Sequence, residues 1–209
     1  MTQTQWIRMN HEQAGRVLGQ LSSRPDAVVF SRTVTEVSWR GLAFYSNFHL
    51  CRLTNYATMP VFSMVYLTDG TDYIPLDGTA NPIYTVDEKD PLLLNEENVI
   101  PYLEFFFGNV QGSEGDVFLI RDPHKVPYMN SLSAVQRQSI IDCFRPASVS
   151  FDAAENVYKV SCTLHYGGGL LAATIIVMTD GKISFHDQSL LLSGIYFPDS
   201  PYIQARAGS

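Results

Sequence analysis

The pattern of apolar and polar residues is most regular in the C-terminal third of the chain, where it predicts an antiparallel meander. Segments rich in β-branched and aromatic residues occupy 148–151, 157–166, 170–179 and 182–191. The last two are joined by an Asp-Gly pair, which is a strong hairpin signal between apolar runs. We therefore predict four strands that pair in sequence order.

The lengths of the connecting turns set the register of this meander. If Asp180-Gly181 is a two-residue turn, Thr174 faces Asp187, and a glycine turn at 167–169 places Cys162 opposite Thr174. In this register the central strand carries an apolar row on a face whose flanking strands are polar. We name this row the central stripe, and its members are Leu171, Ala173, Ile175 and Val177.

The central stripe has two interpretations. An apolar stripe between polar borders is typical of a surface that binds a protein partner, with His165 and His186 at its border. Alternatively, a helix covers this face and the strand is buried on both sides. The first interpretation predicts a homodimer through the sheet or a complex with another protein, and the sequence leaves both open.

Helix signals complete the prediction of fold class. Capping residues and apolar spacing predict helices at 10–21, 98–107 and 133–144. The first half of the chain also carries strand-like segments, at 27–37, 41–53 and 61–67. Together these elements predict an α+β fold, with an antiparallel sheet and helices packed on one of its faces.

A helix followed later by a long-stranded meander resembles the layout of the cystatin-like and NTF2-like α+β proteins. The resemblance covers mainly the meander and includes no sequence motif. It implies either a small apolar pocket between a helix and a curved sheet, or a dimer formed through the sheet.

Length and composition indicate a folded protein of one domain. The chain has 209 residues, of which 45% are hydrophobic and 17% are charged, fewer charges than an average soluble domain carries. We expect a single domain over 1–209, and the best candidate for a subdomain boundary lies near 123–130.

The charge balance argues against nucleic acid and anionic membranes as partners. The formal net charge is −7, and the basic residues are scattered along the chain rather than clustered. A small basic patch on an acidic protein can still bind an anion. The polar N-terminus predicts no signal peptide, and an odd number of cysteines without a Cys-x-x-Cys pair predicts reduced thiols in the cytoplasm.

No motif for nucleotide binding, serine hydrolysis or metal binding is present in the sequence, so we expect no cofactor and no metal. In the predicted register His165 and His186 lie roughly 16 Å apart, too far to share an ion.

The candidate catalytic groups are therefore isolated acids and histidines. Asp187 on the core face would have a raised pKa, unless a bulge after Phe185 turns it outward. Asp122 and His124 lie in the most polar loop, directly after an apolar strand.

The absence of a catalytic motif, the central stripe and the low charge favour a non-enzymatic binding or assembly module. The alternative is a small enzyme of the isomerase or hydrolase type, with a pocket between helix and sheet and a single Asp or His as proton carrier. The sequence leaves open whether the protein is an enzyme.

Overall fold

The structure is a computed structural model that describes residues 5–126 and 129–195. The predicted α+β class is confirmed, and the described strands form two antiparallel sheets of five strands each. The strands are β1 (Ile7–Arg8), β2 (Thr35–Gly41), β3 (His49–Asn55), β4 (Phe62–Thr68), β5 (Tyr73–Pro75), β6 (Phe118–Ile120), β7 (Ser148–Asp152), β8 (Val157–Tyr166), β9 (Gly169–Met178) and β10 (Ile183–Ser193). The helices are α1 (His11–Leu21), α2 (Asn81–Lys89), α3 (Val99–Asn109) and α4 (Ala134–Cys143). None of the helices in these residues is long and apolar enough to cross a membrane.

The first sheet is a meander in which β1 to β5 pair in sequence order. Helix α1 begins with a capping box between Asn10 and Gln13 and buries Val17, Leu18 and Leu21 in one cluster with β2, β3 and β4 residues. This helix matches the predicted one.

The strands predicted at 27–37 and 41–53 are absent over much of those ranges. Residues Pro25–Ala27 form a 3-10 turn, held by an ion pair between Arg24 and Asp26, and β2 starts only at Thr35. Residues 42–48 form a loop that buries Phe44 in the core. The aromatic residues Phe30, Phe44, Tyr45 and Phe48 in these segments are buried without strand pairing, whereas Val28 and Val29 are exposed.

The second sheet contains the predicted meander, in the order β10-β9-β8, with β7 and β6 both paired to the remaining edge of β8. Its register differs from the predicted one. The glycine connection is a two-residue turn, with positive φ at Gly167 and Gly168, so that Tyr166 pairs with Gly169 and Cys162 with Ala173.

The last hairpin turn is longer than predicted. Met178 pairs with Lys182 around a three-residue loop that ends in Gly181, whose φ is +86°. Each of the two turns therefore shifts the pairing with β9 by one residue. Because side chains alternate along a strand, this shift moves the central stripe to the opposite face.

One large cluster of buried side chains draws on both sheets, on α2 and on α3. Helix α3 lies where it was predicted, but the Asn98 side chain does not cap it; the Asn95 side chain accepts from the backbone of Glu97 and Asn98 instead. Helix α2 was not predicted. It begins around Pro82 and buries Ile83 and Val86.

Helix α4 covers the other face of the second sheet. It starts with a capping box between Ser133 and Gln136 and places Ile140 in a separate cluster with Leu170. The helices therefore contact both faces of this sheet. The boundary suggested near 123–130 coincides with the 3-10 turn Pro123–Lys125 and with Pro127 and Tyr128, which lie outside the described residues.

Candidate functional site

The central stripe lies inside the protein. Ala173, Ile175 and Val177 are 4%, 0% and 0% exposed and belong to the large cluster, and Leu171 is half-buried. The one-residue register shift is the reason, because it exchanges the two faces of β9. The stripe is thus a core element, whereas Ala172, Thr174 and Ile176 on the opposite side of β9 are half-buried, so the strand is not fully buried on both sides.

The two histidines at the border of the stripe lie in different surroundings. His165 is buried, its Nε2 is 2.7 Å from the carbonyl oxygen of Ile195, and burial lowers its pKa. His186 is exposed at a bulge in β10. The structure does not bring the two into one site.

The bulge expected after Phe185 is present, since Phe185 pairs with Ile175 and Asp187 pairs with Thr174. Asp187 is exposed, and the condition under which it would have been a buried acid is not met.

Asp122 and His124 form a local turn rather than a catalytic pair. The Asp122 carboxylate accepts a 2.9 Å hydrogen bond from the backbone N–H of His124, which lowers the pKa of Asp122. Lys125 Nζ lies 3.4 Å from the same carboxylate. This geometry is that of a capped 3-10 turn.

A cavity of about 270 Å³ lies between the start of α1 and the first sheet. Its polar lining includes Arg8, His11, Arg32 and Glu36. None of Asp122, His124 and Asp187 lines it. A pocket between helix and sheet was implied by the resemblance, but the lining is mainly polar rather than apolar.

One cluster with unusual electrostatics was missed by the sequence analysis. Asp87 of α2 accepts a 2.5 Å hydrogen bond from Tyr45 Oη, and its second oxygen lies 3.4 Å from Tyr102 Oη. Burial raises the pKa of Asp87 to about 7 and also raises the pKa of both tyrosines. No helix was predicted over 81–89, so there was no reason in the sequence to place Asp87 beside the two tyrosines.

The longest edge strand among the described residues is β10. This strand has 11 residues, most of them exposed, and no other strand of the described chain pairs with its outer side. Two of its apolar side chains on the core-facing side are largely exposed: Phe185 is 43% and Leu190 is 64% exposed. We name this region, with the residues Phe185, Gln188 and Leu190 and the adjoining backbone, the β10 edge.

Comparison with known proteins gave no relative. No family model, no curated protein and no solved structure matches this chain. Among residues 5–126 and 129–195, no three His, Cys, Asp or Glu side chains are placed to hold a metal ion. The assignment of function therefore depends on the geometry of the chain itself.

Proposed function

We propose that this protein is a non-enzymatic assembly module of the cytoplasm, which pairs with a second copy of itself through the β10 edge. The observation that carries this proposal is the length of the free edge, because unpaired N–H and C=O groups of an edge strand form a template for another strand. The free thiols of Cys51, Cys143 and Cys162 support a reducing location.

The other sheet edges in the described residues are short. The first sheet ends in β1 and β5, of two and three residues, and the second sheet ends on its other side in β6 and β7, of three and five residues. Short edge strands offer little to a partner. The β10 edge is the exception, and Phe185 and Leu190 give it apolar anchors.

A second copy is the partner that the charges favour. The strand contains no Lys or Arg, and Asp187 is its only carboxylate, although the whole chain has a net charge of −7. Two copies can therefore pair around a twofold axis with little repulsion, provided that the axis does not place Asp187 opposite itself. The bulges of β10 leave Asp187 to Leu190 as the regular stretch for this contact.

Sedimentation velocity at high micromolar concentration tests the proposal. We expect a dimer for the wild type and a folded monomer for Leu190→Glu, which places a like charge at the proposed contact. Val28→Glu is the matched control, because Val28 is an exposed apolar residue directly after the 3-10 turn Pro25–Ala27, in the segment that precedes β2. A monomeric wild type, or a Leu190→Glu variant that still dimerises, contradicts the proposal.

The enzyme alternative has less support. None of its sequence-based candidates, Asp122, His124 and Asp187, lines the cavity at the start of α1. Asp87 has a raised pKa of about 7. Its contacts with Tyr45 and Tyr102 connect a loop, α2 and α3, which is typical of a cluster that stabilises the fold.

A further inference from the structure

Two arginines share one face of the first sheet. Arg40 of β2 pairs with Leu50, and Arg52 of β3 pairs with Ser38, so the two are diagonal neighbours. Both guanidinium groups lie on the ring of Trp6, with Cζ of Arg52 4.3 Å and Cζ of Arg40 5.1 Å from its centroid. Trp6 thus holds two positive charges side by side by cation–π contact.

These two charges lack the carboxylates that pair with other arginines. Within residues 5–126 and 129–195, no Asp or Glu oxygen lies within 4.0 Å of either guanidinium group, whereas Arg8 contacts Glu36 at 3.1 Å on the same face. Arg52 Nε is buried and has no hydrogen-bond acceptor in these residues. A buried donor without an acceptor is rare in native proteins and needs an explanation.

The electrostatics of the surroundings leave a local excess of positive charge. Burial and the charge of Arg52 lower the pKa of Arg40. Glu104 of α3 acts on Arg40 at longer range and lies 3.7 Å from Arg121. Four positive charges, on Arg8, Arg40, Arg52 and Arg121, stand against two negative charges, on Glu36 and Glu104, in a chain whose net charge is −7.

We propose that Arg40 and Arg52, backed by Trp6 and with Arg121 at the rim, bind a phosphate group, either as inorganic phosphate or as the phosphate monoester of a small molecule. The local excess of two positive charges matches a phosphate dianion. Guanidinium groups bind phosphate oxygens through paired N–H donors, and such an oxygen supplies the acceptor that Arg52 Nε lacks. This binding site is separate from the β10 edge and does not depend on dimer formation.

Tryptophan fluorescence offers a direct measurement. The chain has two tryptophans, and Trp39 packs against His49 rather than against the arginine pair. In a Trp39→Phe background, Trp6 is the sole reporter. We expect a saturable change of its emission on titration with inorganic phosphate or phenyl phosphate at constant ionic strength, and no such change with sodium chloride.

Arginine variants in the same background connect the signal to the site. We expect Arg40→Gln and Arg52→Gln to weaken binding at least about tenfold, since each removes a charge-assisted contact. Arg16→Gln is the control, because Arg16 is an exposed arginine of α1 paired with Glu12. If a glutamine variant does not fold, the matching lysine variant replaces it, and we expect weaker binding because an ammonium group lacks the planar fork.

The two ligands distinguish the sources of the phosphate group. Tighter binding of phenyl phosphate supports a monoester as the ligand, and binding of inorganic phosphate alone supports the free ion. The proposal is overturned if calorimetry detects no saturable binding of either ligand to the wild-type protein. It is also overturned if folded Arg40 and Arg52 variants bind as tightly as the control.

Discussion

Ile175 of β9 pairs with Phe185 of β10, so both side chains project to the same face of the second sheet. Ile175 is fully buried in the large cluster, whereas Phe185, one strand further out, stacks on Phe107 with ring centroids 6.1 Å apart and remains partly exposed. The same sheet face is therefore core at β9 and surface at β10. The apolar side chains of the β10 edge are therefore exposed on a face that is core one strand away.

Substitution of Ile175 by Glu tests the register. Because Ile175 is 0% exposed, a carboxylate there would be buried without a partner, and we expect a loss of about 3–5 kcal/mol in the free energy of unfolding. Urea denaturation followed by circular dichroism measures this loss.

The control for this variant is Ile176→Glu. Ile176 is half-buried on the opposite face and pairs with Lys159, so we expect a loss of less than about 1 kcal/mol. If Ile175→Glu instead gives a folded protein as stable as Ile176→Glu, the register of β9 described above is wrong.

The sequence predicted the strands of the meander but not their register, and the reason is physical. Asp180-Gly181 fits the centre of a two-residue turn and equally the end of a three-residue loop with Gly181 in the left-handed region. The local residues do not distinguish these turns, yet the choice of turn decides which face of β9 is buried, and therefore whether Ile175 lies in the core. Packing of the whole sheet against α3 selects the observed register, and that packing is not visible in a local pattern.

The Asp87 cluster could not be predicted for a related reason. Its three side chains come from a loop, from α2 and from α3, at positions 45, 87 and 102. Their proximity depends on the tertiary fold. The local sequence contains one signal for this helix, Asn81-Pro82, because proline is favoured in the first turn of a helix.

The raised pKa of Asp87 predicts a specific dependence of stability on pH. Its folded pKa of about 7 lies above the usual value of 3.8 for an aspartate, so the folded state binds more protons than the unfolded state between these values. The protonated carboxyl group therefore favours folding below about pH 4, and this contribution is lost as the pH rises through about 7.

Asp87→Asn removes this titration. We expect the free energy of unfolding of the variant, relative to wild type, to increase by roughly 2 kcal/mol between about pH 4 and pH 8, a value reduced for solvent screening because Asp87 is half-buried. Urea denaturation of both proteins at both pH values measures the change. A constant offset between Asp87→Asn and wild type across this range would contradict the raised pKa.

Gly181 joins the last hairpin to the Asp87 cluster, and its substitution by Ala separates backbone strain from steric contact. An added Cβ would lie 2.5 Å from Asp87 Oδ2 and 2.6 Å from Tyr102 Oη, and the φ of +86° is unfavourable for any side chain. Gly70 has a similar φ of +92°, but a Cβ there meets no atom within 4 Å.

We expect Gly70→Ala to cost about 1–2 kcal/mol for the backbone alone. Gly181→Ala should cost at least about 1 kcal/mol more, because the hydrogen bonds of Tyr102 to Gly181 and of Tyr45 to Asp87 must also yield. Equal losses for the two variants in urea denaturation would show that the hairpin turn and the Asp87 cluster are not in contact.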